Sequence, residues 1–161
     1  MAALLLAIIY LAFISLGLPD SLLGSAWPVM HQDLGAPLSA MGIVTMIISA
    51  GTVASSLASD FLTKKFGTGV VTAVSVLMTA AAMLGFSFAT SFWMLLLIAV
   101  PYGLGAGGVD AALNNYVALH YKSRHMSWLH CFWGLGALVS PFIMGACLTG
   151  AAGWEGGYRI T

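Results

Sequence analysis

The sequence predicts an all-α protein that crosses a lipid bilayer several times, and three observations support this prediction. Only 6% of its 161 residues are charged, whereas soluble domains carry about 25%. Hydrophobic residues make up 60% of the chain, which excludes a disordered protein. Five runs of residues also reach the roughly 20 mostly apolar positions that a membrane-spanning helix needs. The scarcity of Lys and Arg excludes a nucleic-acid-binding surface.

The five apolar runs are predicted to be five transmembrane helices of a single domain, residues 1–161. The first run is interrupted by the segment Gly17-Leu18-Pro19-Asp20. The second, fourth and fifth runs are rich in small residues, which let helices approach closely where lipid provides no hydrophobic drive. We therefore expect a tightly packed helical bundle. The predicted helices occupy residues 2–27, 38–62, 68–89, 92–119 and 128–150.

The basic residues predict the orientation of the helices. Lys64 and Lys65 lie between the second and third helices, and Lys122 and Arg124 lie between the fourth and fifth. The links after the first and third helices contain neither Lys nor Arg. Because basic links stay on the cytoplasmic side of a membrane, the N-terminus is predicted to be cytoplasmic and the C-terminus outside. The predicted location is the plasma (inner) membrane, which the chain crosses several times.

Two acidic residues fall inside the predicted helices. Asp33, Asp60 and Glu155 lie at or near helix ends, whereas Asp20 and Asp110 do not. An ionised carboxylate at the bilayer centre costs about 2.5–3.5 kcal/mol, so such residues normally face a bundle interior or a wet cavity. Asp20 and Asp110 are therefore candidate functional residues.

The neighbours of the two acids extend each candidate site along one helix face. Trp27 follows Asp20 at a spacing of seven, and Asn114 follows Asp110 at a spacing of four. The pattern Gly-x-x-Asp-x-x-Leu begins at residue 17 and recurs at residue 107. Because the two copies fall on the first and fourth helices, they are the counterparts expected in a three-plus-three inverted repeat.

Each acid also has a second interpretation. If the first helix ends at Leu18, then Pro19 and Asp20 form a turn that is exposed to water. Asp110, in turn, would have a purely structural role if hydrogen bonds between helices engaged its carboxylate.

Three stretches of the sequence are similar to a known family. Residues 17–28, GLPDSLLGSAWP, hold a membrane-embedded Asp, and residues 103–115, GLGAGGVDAALNN, are a glycine-rich stretch that leads to an acid and an Asn. Residues 60–67, DFLTKKFG, hold an Asp followed by paired basic residues. With these features the chain resembles the major facilitator superfamily, and within it the fucose:proton symporter-like sugar transporters.

The resemblance implies a proton-coupled sugar carrier that works by alternating access, with this chain as its N-terminal half. Asp20 and Asp110 take the positions of the group's proton-binding and sugar-binding acids. His130 falls where the group often has a polar side chain that contacts the sugar. Beside these residues, Asn114 and Trp27 are candidate solute contacts, the latter by stacking on a sugar ring. The expected partners are a small solute, a proton and the lipid bilayer.

The cytoplasmic motif of the family is kept only in part. Asp60, Lys64 and Lys65 match it, whereas Phe61 and Thr63 stand where the motif has Arg and Gly. The three matching residues are the candidate cytoplasmic gate, whose partners would lie in the second half of a twelve-helix transporter. That half is expected to be absent from this sequence, in which the sixth helix barely begins. The same i,i+4 spacing is typical of a surface ion pair, which contributes about 0.3–0.5 kcal/mol.

Two rival functions come from other classes. An enzyme is disfavoured because no catalytic or phosphate-binding motif occurs in the sequence. A metal site is also disfavoured, because successive members of His120, His125 and His130 lie about 140° apart on a helix. We therefore expect no enzymatic activity, no cofactor and no metal. The second rival is a non-transporting subunit or split-gene product that needs a partner chain.

Overall fold

The computed structural model describes residues 2–161, which fold into α-helices joined by short links. Across this described part of the chain no strand occurs, and five helices are long and apolar enough to cross a membrane. The predicted all-α class with five transmembrane helices is confirmed. The helices are α1 (Ala2–Asp33), α2 (Met41–Phe66), α3 (Thr68–Ser87), α4 (Phe92–His120), α5 (Ser123–Thr149) and the shorter α6 (Gly153–Ile160), and a 3₁₀ turn at Leu38–Ala40 precedes α2.

The first helix does not break near Asp20. α1 continues through both of its prolines to Asp33, beyond the predicted end at residue 27. Proline is tolerated inside membrane helices because neighbouring groups satisfy the backbone carbonyl that it frees. Ala26 and Met30, on the later turns, are fully buried, so packing holds those turns helical. The interpretation of Asp20 as part of an exposed turn is therefore wrong.

Two other helices extend further than the apolar runs predicted. α5 begins at Ser123 rather than at residue 128, and the backbone N–H of His125 donates to the Lys122 carbonyl at 2.9 Å. α2 continues to Phe66 rather than ending at residue 62. An apolar run marks only the part of a helix that hydrocarbon surrounds. Polar residues such as those at the start of α5 continue the same helix beyond it.

Glycines bring α1 and α5 into backbone contact. A Cβ atom added at Gly17 would collide with the carbonyl oxygen of Trp133 on α5. A Cβ atom added at Gly136 would collide with the carbonyl oxygen of Ile14 on α1. The small residues therefore act as the close-packing positions that the composition predicted.

A second glycine contact joins α2 to α4. A Cβ atom at Gly103 would collide with the Ile48 carbonyl oxygen, and one at Gly107 would collide with the Thr52 carbonyl oxygen. The Thr52 hydroxyl also donates to the carbonyl of Gly103 at 3.3 Å. Gly17 on α1 and Gly107 on α4 are the first residues of the repeated sequence pattern. Each of them presses its helix against a neighbour, and the acid follows three residues later.

Buried apolar side chains form two clusters, one on each side of Asp20 along α1. The first cluster includes Leu22 and Met144, and the second includes Leu16 and Leu129. Since α1 contributes to both clusters, Asp20 lies between two apolar layers. The fold thus places an acidic residue in the middle of α1, between two apolar clusters.

Candidate functional site

Asp20 accepts hydrogen bonds from two neighbouring helices. The Tyr102 hydroxyl of α4 donates to its Oδ1 atom at 3.2 Å. The indole Nε1–H of Trp133 on α5 donates to its Oδ2 atom at 2.8 Å. The contact of Gly17 with the Trp133 backbone, one turn earlier, brings the indole within reach of the carboxylate. Both carboxylate oxygens are therefore engaged where α1, α4 and α5 meet.

Asp110 is paired with an amide on its own helix. The Nδ2 group of Asn114 donates to Asp110 Oδ1 at 2.9 Å and to the Asp110 backbone carbonyl at 3.0 Å. The Oδ1 atom of Asn114 is buried and has no hydrogen-bond partner within residues 2–161. The predicted pairing along one helix face therefore holds the amide beside the acid, with the amide oxygen shielded from solvent.

One cleft brings together three of the predicted site residues. It has a volume of about 320 Å³, at the lower end of the usual range for small-molecule pockets, which is about 300–1,000 Å³. Asp20, Asp110 and His130 are its titratable residues, and the described chain contributes no Lys or Arg to its wall. The complete lining consists of Leu16, Asp20, Ile48, Thr52, Ala106, Asp110, His130 and Trp133.

Trp27 lies outside this cleft. Its side chain is buried, and its indole N–H donates to the backbone carbonyl of Leu38 at 2.7 Å. Its ring also packs edge-on against Phe92. Seven residues of helix separate it from Asp20 by roughly 10 Å along the axis. Trp27 lies on the same face of α1 as Asp20, but its side chain belongs to the buried apolar cluster that contains Leu22 and Met144.

The sequence analysis did not predict that Tyr102 and Trp133 bond Asp20. Trp133 follows His130 at a spacing of three, which places the two on one helix face. That spacing puts Trp133 beside His130 but does not predict a bond to Asp20 on another helix. Tyr102 gave no such signal, because its contact with Asp20 joins residues 82 positions apart in the chain.

The candidate cytoplasmic gate lies on the last turns of α2, away from the cleft. Lys64 Nζ donates to Asp60 Oδ2 at 2.7 Å, and both side chains are exposed. The Lys65 ammonium lies 5.2 Å from the centre of the Phe66 ring. These contacts are those of an ordinary surface ion pair and a cation–π pair, and the gate role stays a prediction.

The three neighbouring histidines of the sequence, His120, His125 and His130, do not come together at one site. His120 stacks on Tyr116 at 4.3 Å between ring centres, and the Nδ1 atom of His125 is 2.7 Å from the Tyr10 hydroxyl oxygen. His130 lies in the cleft instead. No group of three or more potential metal ligands occurs in the described residues, 2–161.

Relatives of known name match most of this sequence at low identity. Human synaptic vesicle glycoprotein 2B (Homo sapiens) is 26% identical over 85% of this chain and 21% of its own length. The niacin transporter of Acinetobacter baylyi is 31% identical over 60% of this chain and 24% of its own length. The 4-hydroxybenzoate transporter of Pseudomonas putida is 28% identical over 86% of this chain and 32% of its own length. The chain thus spans about a fifth to a third of the length of these curated relatives.

A comparison with family models gives the broader relationship. The model described as Major Facilitator Superfamily matches residues 9–161, which include every residue that lines the cleft. The five apolar helices and this match identify a multi-pass membrane protein. Since the match covers nearly the whole sequence, the chain belongs to the major facilitator superfamily.

Proposed function

We propose that this chain forms part of a secondary transporter that moves a small polar solute across the plasma (inner) membrane by alternating access, coupled to protons. The observation that carries the proposal is the cleft in which Asp20, Asp110 and His130 meet. Within the membrane such a polar wall is energetically costly. Residues of this kind therefore point to a site for a ligand, an ion or a proton.

The proton is assigned to the acids of the cleft. An ionised carboxylate inside a membrane is costly, and uptake of a proton removes its charge. The hydrogen bonds from Tyr102 and Trp133 hold the Asp20 carboxylate in one place through this change. If the solute binds better to the protonated state, then proton binding and solute binding are linked and each favours the other.

A sugar is the solute class that the wall of the cleft favours. The Asp110 carboxylate in this wall accepts hydrogen bonds, which sugar hydroxyls donate. The Trp133 ring lines the same cleft, is partly exposed and offers an apolar face for a sugar ring. The resemblance of residues 17–28 and 103–115 to the fucose:proton symporter-like group supports the same class.

An aromatic carboxylic acid is the second candidate. Two of the relatives are named as transporters of niacin and of 4-hydroxybenzoate. Such an anion needs a positive partner, and His130 is the cleft side chain that becomes positive on protonation. The two acids in the same cleft oppose an anionic solute, which is why we place this class second.

Solute-driven proton uptake tests the proposal. The chain would be reconstituted in lipid vesicles that contain a pH indicator, and neutral sugars, niacin and 4-hydroxybenzoate would be added in turn. We expect a sugar to drive proton uptake and Asp110→Asn to abolish it. Glu155→Gln, which removes an acid outside the cleft, is the matched control and should retain uptake. Equal uptake by Asp110→Asn would contradict the role of Asp110.

The same experiment distinguishes the proposal from its rival, a subunit that needs a partner chain. Solute binding without proton uptake would favour a subunit that needs a partner chain to complete the transporter. If none of these solutes binds to the chain or drives proton uptake, the proposal as a whole is contradicted.

We also propose the gate role for Asp60, Lys64 and Lys65. Because the Asp60–Lys64 pair is exposed, it contributes little to stability, about 0.3–0.5 kcal/mol. Asp60→Asn should therefore leave the thermal unfolding midpoint almost unchanged while it slows transport. A variant that transports at the original rate would remove the gate assignment.

A further inference from the structure

We propose that the proton reaches Asp20 through a second cavity, separate from the solute cleft, in which ordered water connects the hydroxyls of Tyr158 and Tyr102. This inference rests on the proposed function, because it gives a route to the proton that Asp20 is proposed to carry.

The second cavity borders Asp20 on another side. Its volume is about 150 Å³, which leaves room for more than one water molecule. Asp20 and Ile48 line both this cavity and the solute cleft, so the carboxylate lies between the two spaces. The remaining polar groups of its wall are hydroxyls, contributed by Thr45 and Ser49 on α2, Tyr102 on α4 and Tyr158 on α6.

Tyr158 lines this cavity and carries a hydroxyl without a partner in the described part of the chain. Its side chain is only 3% exposed, and its hydroxyl has no hydrogen-bond partner among residues 2–161. A buried hydroxyl without a partner is unfavourable, and a water in a polar cavity supplies the missing bond. The Phe86 ring packs against both Tyr102 and Tyr158, with ring centres at 5.8 and 5.5 Å, and so holds the two phenols on one wall.

The bond from Tyr102 to Asp20 completes the route. The Tyr102 hydroxyl already donates to Asp20 Oδ1 at 3.2 Å. When it passes that proton to Oδ1, it takes one from the water, the water takes one from the Tyr158 hydroxyl, and Tyr158 regains its proton from bulk water. One O–H bond breaks and one forms at each step, so both tyrosines end unchanged and Asp20 gains one proton.

Other titratable groups surround Asp20 as well. Asp110 on α4 and His130 on α5 share the solute cleft with it, whereas Tyr102, which bonds it directly, and Tyr158 share the second cavity with it. In the described chain, α2 and α3 add no titratable side chain to either lining. A relay that starts in the second cavity therefore reaches Asp20 without passing Asp110 or His130.

The rate of protonation at Asp20 tests the relay. The chain in lipid vesicles would be followed by time-resolved infrared spectroscopy after a pH jump. The carboxylic acid band of Asp20 would be assigned by its loss in Asp20→Asn. Tyr158→Phe keeps the ring and removes only the hydroxyl that lacks a partner. We expect it to slow the growth of the Asp20 band about tenfold or more, with the final amplitude unchanged.

Tyr116→Phe is the matched control, because it makes the same chemical change on α4 outside both cavities and should keep the original rate. An unchanged amplitude shows that Tyr158→Phe has folded with its carboxylate site intact. Equal rates in the two variants would overturn the relay, and so would a band that responds to sodium at fixed pH. Since no solute is added, failed solute transport leaves this result intact, and failure of the relay leaves the solute test intact.

Discussion

The cleft is unusual in its charge, because its wall contains two acids and one histidine but neither Lys nor Arg among the described residues. This composition suits a ligand that donates hydrogen bonds and carries no negative charge. The two candidate solute classes need different things from His130. A sugar needs from it only a hydrogen bond, whereas an aromatic carboxylate needs its positive charge.

Replacement of His130 by Gln therefore discriminates between the two classes. Glutamine keeps hydrogen-bonding capacity but can never become positive. If the solute is a sugar, we expect His130→Gln to change its affinity by less than about threefold. If it is an aromatic acid, loss of a charge-assisted bond should lower the affinity about tenfold or more. Solute titration by calorimetry, at a pH where histidine is protonated, measures the difference.

For single residues, the sequence predicted the acids better than the side chains that donate hydrogen bonds to them. Asp20 and Asp110 were identified because a carboxylate is conspicuous in an apolar run, and Asn114 because its partner lies one helical turn away. The donors from Tyr102 and Trp133 arise from contacts between helices. No spacing along one helix encodes such contacts, and an aromatic residue in a membrane helix is too common to mark them.

Among the helices, the crossing of α1 and α5 is the contact that positions Asp20. Gly17 and Gly136 form it by allowing backbone atoms of the two helices to touch. The runs rich in small residues predicted close packing in general. They did not predict which helices pair, because hydropathy carries no information on neighbours.

Gly136→Ala tests this crossing. The added Cβ would collide with the carbonyl of Ile14, and overpacking of this kind typically costs about 1–3 kcal/mol. We therefore expect a lower thermal unfolding midpoint, measured by circular dichroism in detergent. Gly134→Ala is the control on the same helix, where an added Cβ meets nothing within 4 Å. That control should be neutral, or stabilising by about 0.5–1 kcal/mol. Equal midpoints for the two variants would contradict the contact.

For the whole molecule, the contacts have the pattern of an inverted repeat. α1 packs on α5 through Gly17, and α4 packs on α2 through Gly107, so the first and fourth helices make equivalent contacts. The repeated sequence pattern predicted this relationship. The bounds of the helices were predicted less well, because apolar runs end where the hydrocarbon ends and the helices continue.

The orientation of the whole bundle remains a prediction that labelling can check. In a Cys131→Ser, Cys147→Ala background, Thr90→Cys places a thiol between α3 and α4, and Lys122→Cys places one between α4 and α5. The positive-inside rule predicts that a membrane-impermeant maleimide labels the first thiol in intact cells. The second should react only after the cells are opened. The reverse pattern would invert the topology.

The contact between Gly17 and Trp133 has a mechanical consequence. Trp133 touches α1 twice, once through its backbone at Gly17 and once through its indole at Asp20. A slide of α5 along α1 would disturb the backbone contact at Gly17 and move the indole relative to the carboxylate. We therefore expect the two helices to move as one rigid unit in the proposed transport. Asp20 then keeps its hydrogen bond from Trp133 while the two helices move.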